Sequence, residues 1–233
     1  MNDLAEALMY FVVFLLSTTL HEAAHAWTAL RGGDPTAYRG GQVSLDPIPH
    51  IRREPFGMVV LPLLTALTTG WPLGFASAPY DPQWAMRFPR RAAIMALAGP
   101  AANFLLVLLA GGLILAGTFA GVFYAPDRVT FGDIVGTSLD GVWPAAASVL
   151  GAFFCVNLLL GIFNLLPLPP LDGSGAVPLL LSDQATQRYQ QLLWSNPMLG
   201  WLGILIAWRV FDVLFDPIFV AAVSLLYPGA SYS

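Results

Sequence analysis

Four apolar runs set the terms on which this chain can fold: about Leu4 to Leu30, Ala92 to Ala120, Pro144 to Leu168 and Met198 to Leu226. Each reaches or exceeds the ~20 residues with which a helix crosses a bilayer. Backbone in lipid must satisfy its own hydrogen bonds, so runs of this length are confined to helices. Composition agrees, because 57% of the 233 residues are hydrophobic and only 10% are charged, against about a quarter charged in soluble domains. The expected fold is an all-α, multi-pass membrane protein with four to six transmembrane helices. The sequence RGGDP, Arg31 to Pro35, stops the first run with glycine and proline. The polar stretch LLSDQATQRYQQLLWSNP reads as an amphipathic helix at the membrane interface, anchored by Trp194.

A fifth apolar segment, Phe56 to Ala76, is broken by Pro62, Pro72 and several glycines and threonines. Arginine placement decides its reading. Arg31, Arg39, Arg52 and Arg53 precede it, and Arg87, Arg90 and Arg91 follow it. A full span would separate these clusters, whereas a re-entrant segment keeps them on one side. The loop from Gly121 to Val142 sets Arg128 against Asp127, Asp133 and Asp140 and would lie opposite. Re-entry is therefore favoured, with irregular backbone covered by protein or water. Just before it, TAYRGGQVSLDP alternates around Gly40-Gly41 and reads as a small β-hairpin. No repeat or flexible linker divides the chain, so residues 1–233 are expected to form a single domain. The first run lacks a basic leader and reads as a retained helix. A net charge of −4 with no basic block argues against nucleic acid. The lone Cys155 reads as a small buried hydrophobe.

Within the first run stands His21-Glu22-Ala23-Ala24-His25. Positions i and i+4 share one helix face, so both imidazoles can reach one metal ion. Glu22 lies beside them, placed to take a proton from water at that metal. The motif uses two of only three histidines in the chain. Ionisable residues in a membrane segment are costly and functional by default. A catalytic zinc site needs a third protein ligand. Asp172, Asp212 and Asp216 are the acidic candidates at the borders of the later runs. Asp172 follows Pro167, Pro169 and Pro170, which break the third helix, and precedes Gly173, which permits a tight turn. Arg209 and Asp212 read as an interfacial ion pair.

These residues resemble the site-2 protease family of intramembrane zinc metalloproteases, peptidase family M50. Three motifs carry the resemblance: His21-Glu22-x-x-His25 in an apolar helix, NLLPLPPLDG from Asn164 to Gly173, and the G-P-x-x-N of ALAGPAANFLL ending at Asn103. LDPIPHIRREPFG and GFASAPYDPQW also look like the short, core-only bacterial and archaeal members. The resemblance implies one zinc per chain, bound by His21, His25 and Asp172, with Glu22 as general base and acid. It implies that Asn103 and Asn164 lie near the zinc, orienting substrate or stabilising an oxyanion. From the residues alone, either asparagine could instead cap or bridge helices. Arg52 departs from the aspartate common after "HI" in the family, which leaves His50 as an exposed interfacial histidine. Neither a PDZ nor a CBS module is expected.

The function expected is hydrolysis of peptide bonds in or near transmembrane segments of membrane-protein substrates, as in regulated intramembrane proteolysis. A strand edge near Gln42 to Leu45 could receive the unwound substrate. The expected partners are that substrate and the lipid bilayer; a homo-oligomer is left open. The expected location is the cell membrane of a bacterium or archaeon, with the active site nearer the cytoplasm. The alternatives are a membrane zinc-binding protein or transporter, or a catalytically inactive scaffold.

Overall fold

The computed structural model describes residues 3–230. Helix α1 (Asp3–Gly32) is followed by a helical turn, α2 (Thr36–Arg39), and by α3 (Pro47–Arg53). A π-helical turn (Phe56–Val60) runs into α4 (Leu61–Thr69), and an extended segment leads to α5 (Pro82–Arg87). Then come α6 (Pro89–Phe119), α7 (Trp143–Asn164), the short α8 (Asp172–Ala176), α9 (Asp183–Ser195) and α10 (Met198–Leu226). Asp-Pro pairs start two of the short helices. The Asp46 side chain accepts from Ile48 N at 2.9 Å, and that of Asp81 from Gln83 N at 2.8 Å, each with proline in the first turn.

Among the described residues, three helices are long and apolar enough to cross a membrane: α1 over Leu4–Gly32, α6 and α7. The fourth expected span is helical as α10 but is not among them. Arg209, Asp212, Asp216 and Pro217 interrupt its apolar surface. It buries a narrow stripe, Gly203, Ala207, Phe211 and Phe215, at every fourth residue. Arg209 and Asp212 stay exposed, and the expected ion pair between them is not formed. Among the described residues, the ion pairs are those of Asp172 with His21 and His25.

The segment after α3 doubles back. Helix α4 ends at Gly70, whose φ of 80° reverses the chain. Residues 71–81 then return extended along α1. Trp71 packs at a tilt against Tyr10 with ring centroids 4.6 Å apart, and Asp81 N donates to Asp34 Oδ2 at 2.8 Å beyond the end of α1. Ten extended steps of ~3.3 Å span the same ~33 Å as the helical rise from Tyr10 to Gly32. Gly74 makes the passage possible, since a Cβ there would strike the Phe14 ring and Pro62. The return brings the arginine clusters together: Arg91 Nη1 donates to Gly32 O at 3.0 Å, and Arg53 Nε to Ser77 O at 3.1 Å.

The expected β-hairpin does not form. The Asp34 side chain accepts from Thr36 N and Thr36 Oγ1, which starts a helical turn at Thr36 instead of a strand. Gly41 then turns the chain at φ 75°, and Asp46 opens α3 within five residues, so neither arm gains a strand's length. Among the described residues there is no sheet, only the isolated bridges Tyr124–Gly136 and Thr130–Asp133 in the loop after α6. His50 also departs from expectation. It is 1% exposed, with Nε2 3.0 Å from Ser44 O, because α3 packs against α1 rather than lying free at an interface.

The core lies among α6, α7 and α10, with Phe131 of the 121–142 loop inserted beside Trp71, Phe215 and Phe219. Cys155 is buried there. Gly99 of α6, which faces the rings of His21 and His25, lets the two helices come close. That closeness presents one face of α1 to the middle of α6, where the polar residues gather.

Candidate metal centre

Helix α1 places His21 and His25 one turn apart, and both are buried. Their Nε2 atoms lie 2.9 Å from one another. Asp172 arrives from the far end of the chain on the first residue of α8. The prolines after α7 end that helix, and the returning chain packs so tightly on it that a Cβ at Gly173 would strike the carbonyls of Leu165 and Leu166. Asp172 Oδ2 then stands 3.0 Å from His21 Nε2 and 3.3 Å from His25 Nε2.

This donor set suits zinc. Two imidazole nitrogens and a carboxylate oxygen, mutually within 4.8 Å, make up a set of the catalytic type. Tetrahedral ligands at ~2.0–2.1 Å stand about 3.3 Å apart, close to the separations found here. Three further features fit a metal and its water. His25 Nδ1 lies 2.7 Å from Met95 O; a carbonyl only accepts, so Nδ1 bears the proton and Nε2 offers its lone pair. A Cβ on Gly99 would collide with both Nε2 atoms, so α6 leaves space where they converge. Glu22 is 5% exposed, and its Oε2 has no hydrogen-bond partner. Thr18 Oγ1, one turn earlier on α1, is likewise buried without a partner. A buried carboxylate oxygen without a donor is costly unless water or an ion completes it.

Asn103 is fully buried on α6, with Oδ1 2.6 Å from His21 Nδ1 and Nδ2 donating to Asn157 Oδ1 at 2.8 Å. It thus bridges helices through the imidazole. Asn164 closes α7 and donates through Nδ2 to Leu160 O at 3.0 Å; no hydrogen bond joins it to the His21, His25 and Asp172 cluster. Asp212 and Asp216 lie on the exposed side of α10, outside the cluster. Sequence reasoning missed Asn157, Ser17, Gly99 and the Met95 carbonyl. Asn157 had a usable signal, since an amide within FFCVNLLL is expensive in an apolar helix. Gly99 and Met95 had none, because their part depends on which residues α6 faces.

The family description peptidase family M50 matches residues 9–202. YwhC of Bacillus subtilis, named as a candidate zinc metalloprotease, is 35% identical over 170 residues, covering 70% of this chain and 65% of its own length. Rip2 of Mycolicibacterium smegmatis, named likewise, is 34% identical over 175 residues, covering 75% of this chain and 58% of its own. Rip2 of Mycobacterium tuberculosis (strain H37Rv) is 32% identical over 217 residues, covering 88% of this chain and 73% of its own. The chain thus spans less than two thirds of the length of the first two relatives. No solved structure matches it.

Proposed function

The chain belongs to peptidase family M50, and from that premise we propose that it is an intramembrane zinc metalloendopeptidase of the HExxH type. It would cut membrane-protein substrates in or near their transmembrane segments, as in regulated intramembrane proteolysis. The observation that carries this reading is the meeting of His21, His25 and Asp172 beside the buried, unpartnered Oε2 of Glu22. His21, His25 and Asp172 would hold one zinc ion per chain. Bound there, zinc supplies a lowered water pKa and polarisation of the scissile carbonyl.

The protein's own groups do the rest. Glu22 takes a proton from the attacking water as the new C–O bond forms, and gives it to the amide nitrogen as the C–N bond breaks. Water is consumed and Glu22 ends as it began. His25 is held by Met95 and His21 by Asn103, so neither ring has to reorient during the reaction. Asn103 acts on the imidazole, since its amide is engaged on both sides and fully buried. Asn164 is left as the amide for substrate or transition-state support, on giving up its bond to Leu160.

A helical substrate hides its peptide bonds in its own hydrogen bonds and must unwind locally. The strand edge expected at Gln42 to Leu45 is absent from the turn found there. The extended segment 72–80 is the better receiver of an unwound substrate by β-addition. Three long apolar helices and membership of the family make this a membrane protein. We propose that it is multi-pass, in a bacterial or archaeal cell membrane, with the site toward the arginine-rich, cytoplasmic side.

Cleavage of a test transmembrane substrate by wild type and Glu22→Gln, with zinc measured in both, tests the reading. Retained zinc with lost cleavage supports the protease. Equal behaviour in both would favour a zinc-binding or transport role, which needs the ligands but not Glu22.

A further inference from the structure

His21 can bind a metal through Nε2 only if its single ring proton sits on Nδ1. Its Nδ1 faces Asn103, whose side chain could turn either an oxygen or an NH2 toward it. Rotating that amide would force the ring proton onto Nε2, the atom that faces Asp172 and His25. Something must therefore hold Asn103 in one orientation, and the fold supplies it.

The chain of bonds can be read from its far end. Asn157 lies on α7 and is fully buried. One atom of its amide lies 2.8 Å from the backbone carbonyl of Phe153. A carbonyl only accepts, so that atom is Nδ2, and it also donates to Ser17 Oγ of α1 at 2.9 Å. Asn157 Oδ1 must then face Asn103, which requires Asn103 Nδ2 there, at 2.8 Å. That leaves Asn103 Oδ1 against His21 Nδ1 at 2.6 Å, and His21 must donate. A backbone carbonyl on α7 thus dictates, through two amides, which nitrogen of an α1 histidine is free.

We propose that Asn157 is a positioning residue for the metal site: it locks the amide of Asn103 so that His21 keeps the tautomer able to bind metal. Asn157 makes no hydrogen bond to His21, His25, Asp172 or Glu22, and it acts only through Asn103. The inference rests on the reading of His21 as a metal ligand. It explains why α7, apolar along most of its length, carries an amide at its buried middle.

The test is zinc affinity of the purified full chain by chelator competition, with the visible spectrum of the Co2+ form as a second readout. Asn157→Leu should bind zinc about 10–100-fold more weakly, the range for losing an outer-shell partner, with a changed Co2+ spectrum. Asn103→Asp removes the ambiguity, because both oxygens of a carboxylate accept. Adding Asn157→Leu to Asn103→Asp should therefore cost no more than about 2-fold, a non-additivity that marks the two residues as coupled. A merely structural role for Asn157 predicts the same loss in both backgrounds. If the leucine variant does not fold, Asn157→Ala serves in its place, leaving space rather than extra volume. Unchanged affinity on replacing Asn157, or a loss that persists beside Asn103→Asp, overturns the proposal. Wild type without zinc affinity would instead overturn the metal reading itself.

Discussion

Replacing Gly99 by alanine is the sharpest probe of the cluster's geometry. The added methyl would collide with Nε2 of both histidines and stand 2.6 Å from His21 Cδ2, where carbon atoms need about 3.5 Å. The rings have little room to retreat. His25 is tied to Met95 O at 2.7 Å, on the same helix as Gly99, and His21 to Asn103 at 2.6 Å, also on that helix. Either both rings break these bonds or α6 moves off α1. Overpacking of this kind costs about 1–3 kcal/mol. At 1.4 kcal/mol per tenfold, zinc binding should weaken about 5- to 140-fold. Gly112→Ala is the matched control, since it lies on α6 with nothing within 4 Å of the new methyl, and its zinc affinity should equal that of wild type. Chelator competition on both proteins decides. Equal affinities for Gly99→Ala and wild type would refute the claim that this glycine keeps open the space between the imidazoles.

Other expectations follow from the same site and its supports. Glu22→Gln should retain zinc while cleavage falls about 10²–10⁴-fold, read by metal analysis and substrate turnover on one preparation. Asp172→Ala removes one of the three donors, and zinc content after dialysis should fall; unchanged content would show that another residue completes the set. Asp34→Ala strips the acceptor from Thr36 N and Asp81 N, so thermal unfolding should show a loss of about 0.5–1.5 kcal/mol for each of these part-buried hydrogen bonds. On the proposed reading zinc is held by the folded chain, so at a thousand times its Kd it should add about 4.1 kcal/mol. Chelation should lower Tm correspondingly, and restored zinc should bring it back.

Much of this arrangement could be read locally. The i, i+4 spacing of His21 and His25 holds on any α-helix, and the run around it is too apolar to be anything else. Asp172 could be picked out because three prolines and a glycine around an acidic residue announce broken backbone. The sidedness of seven arginines led to the expectation that residues 56–76 re-enter, and the chain does reverse there, at Gly70. The misreadings came where two local signals competed. Around Gly40-Gly41 the alternation of residues suggested strands, but the side chains of Asp34 and Asp46 start helical turns on both sides of it. His50 was assigned to the surface from its neighbours, though α3 turns it inward. Arg209 and Asp212 stand three residues apart, neighbours on a helix surface, yet remain unpaired.

By itself, then, the sequence determined where the long helices form, which segment turns back, and which acidic and imidazole groups the chain can bring to a metal. Those are properties of period, chain stiffness and the cost of polar groups in an apolar run. Tertiary structure decided what each of those groups can do. The proton on His25 is settled by a carbonyl 70 residues away, and that on His21 by an amide 82 residues away that Asn157 in turn restrains. The space between the rings depends on a missing side chain on α6. Hydrogen-bond direction and steric room are set between helices, and no pattern along one helix encodes them.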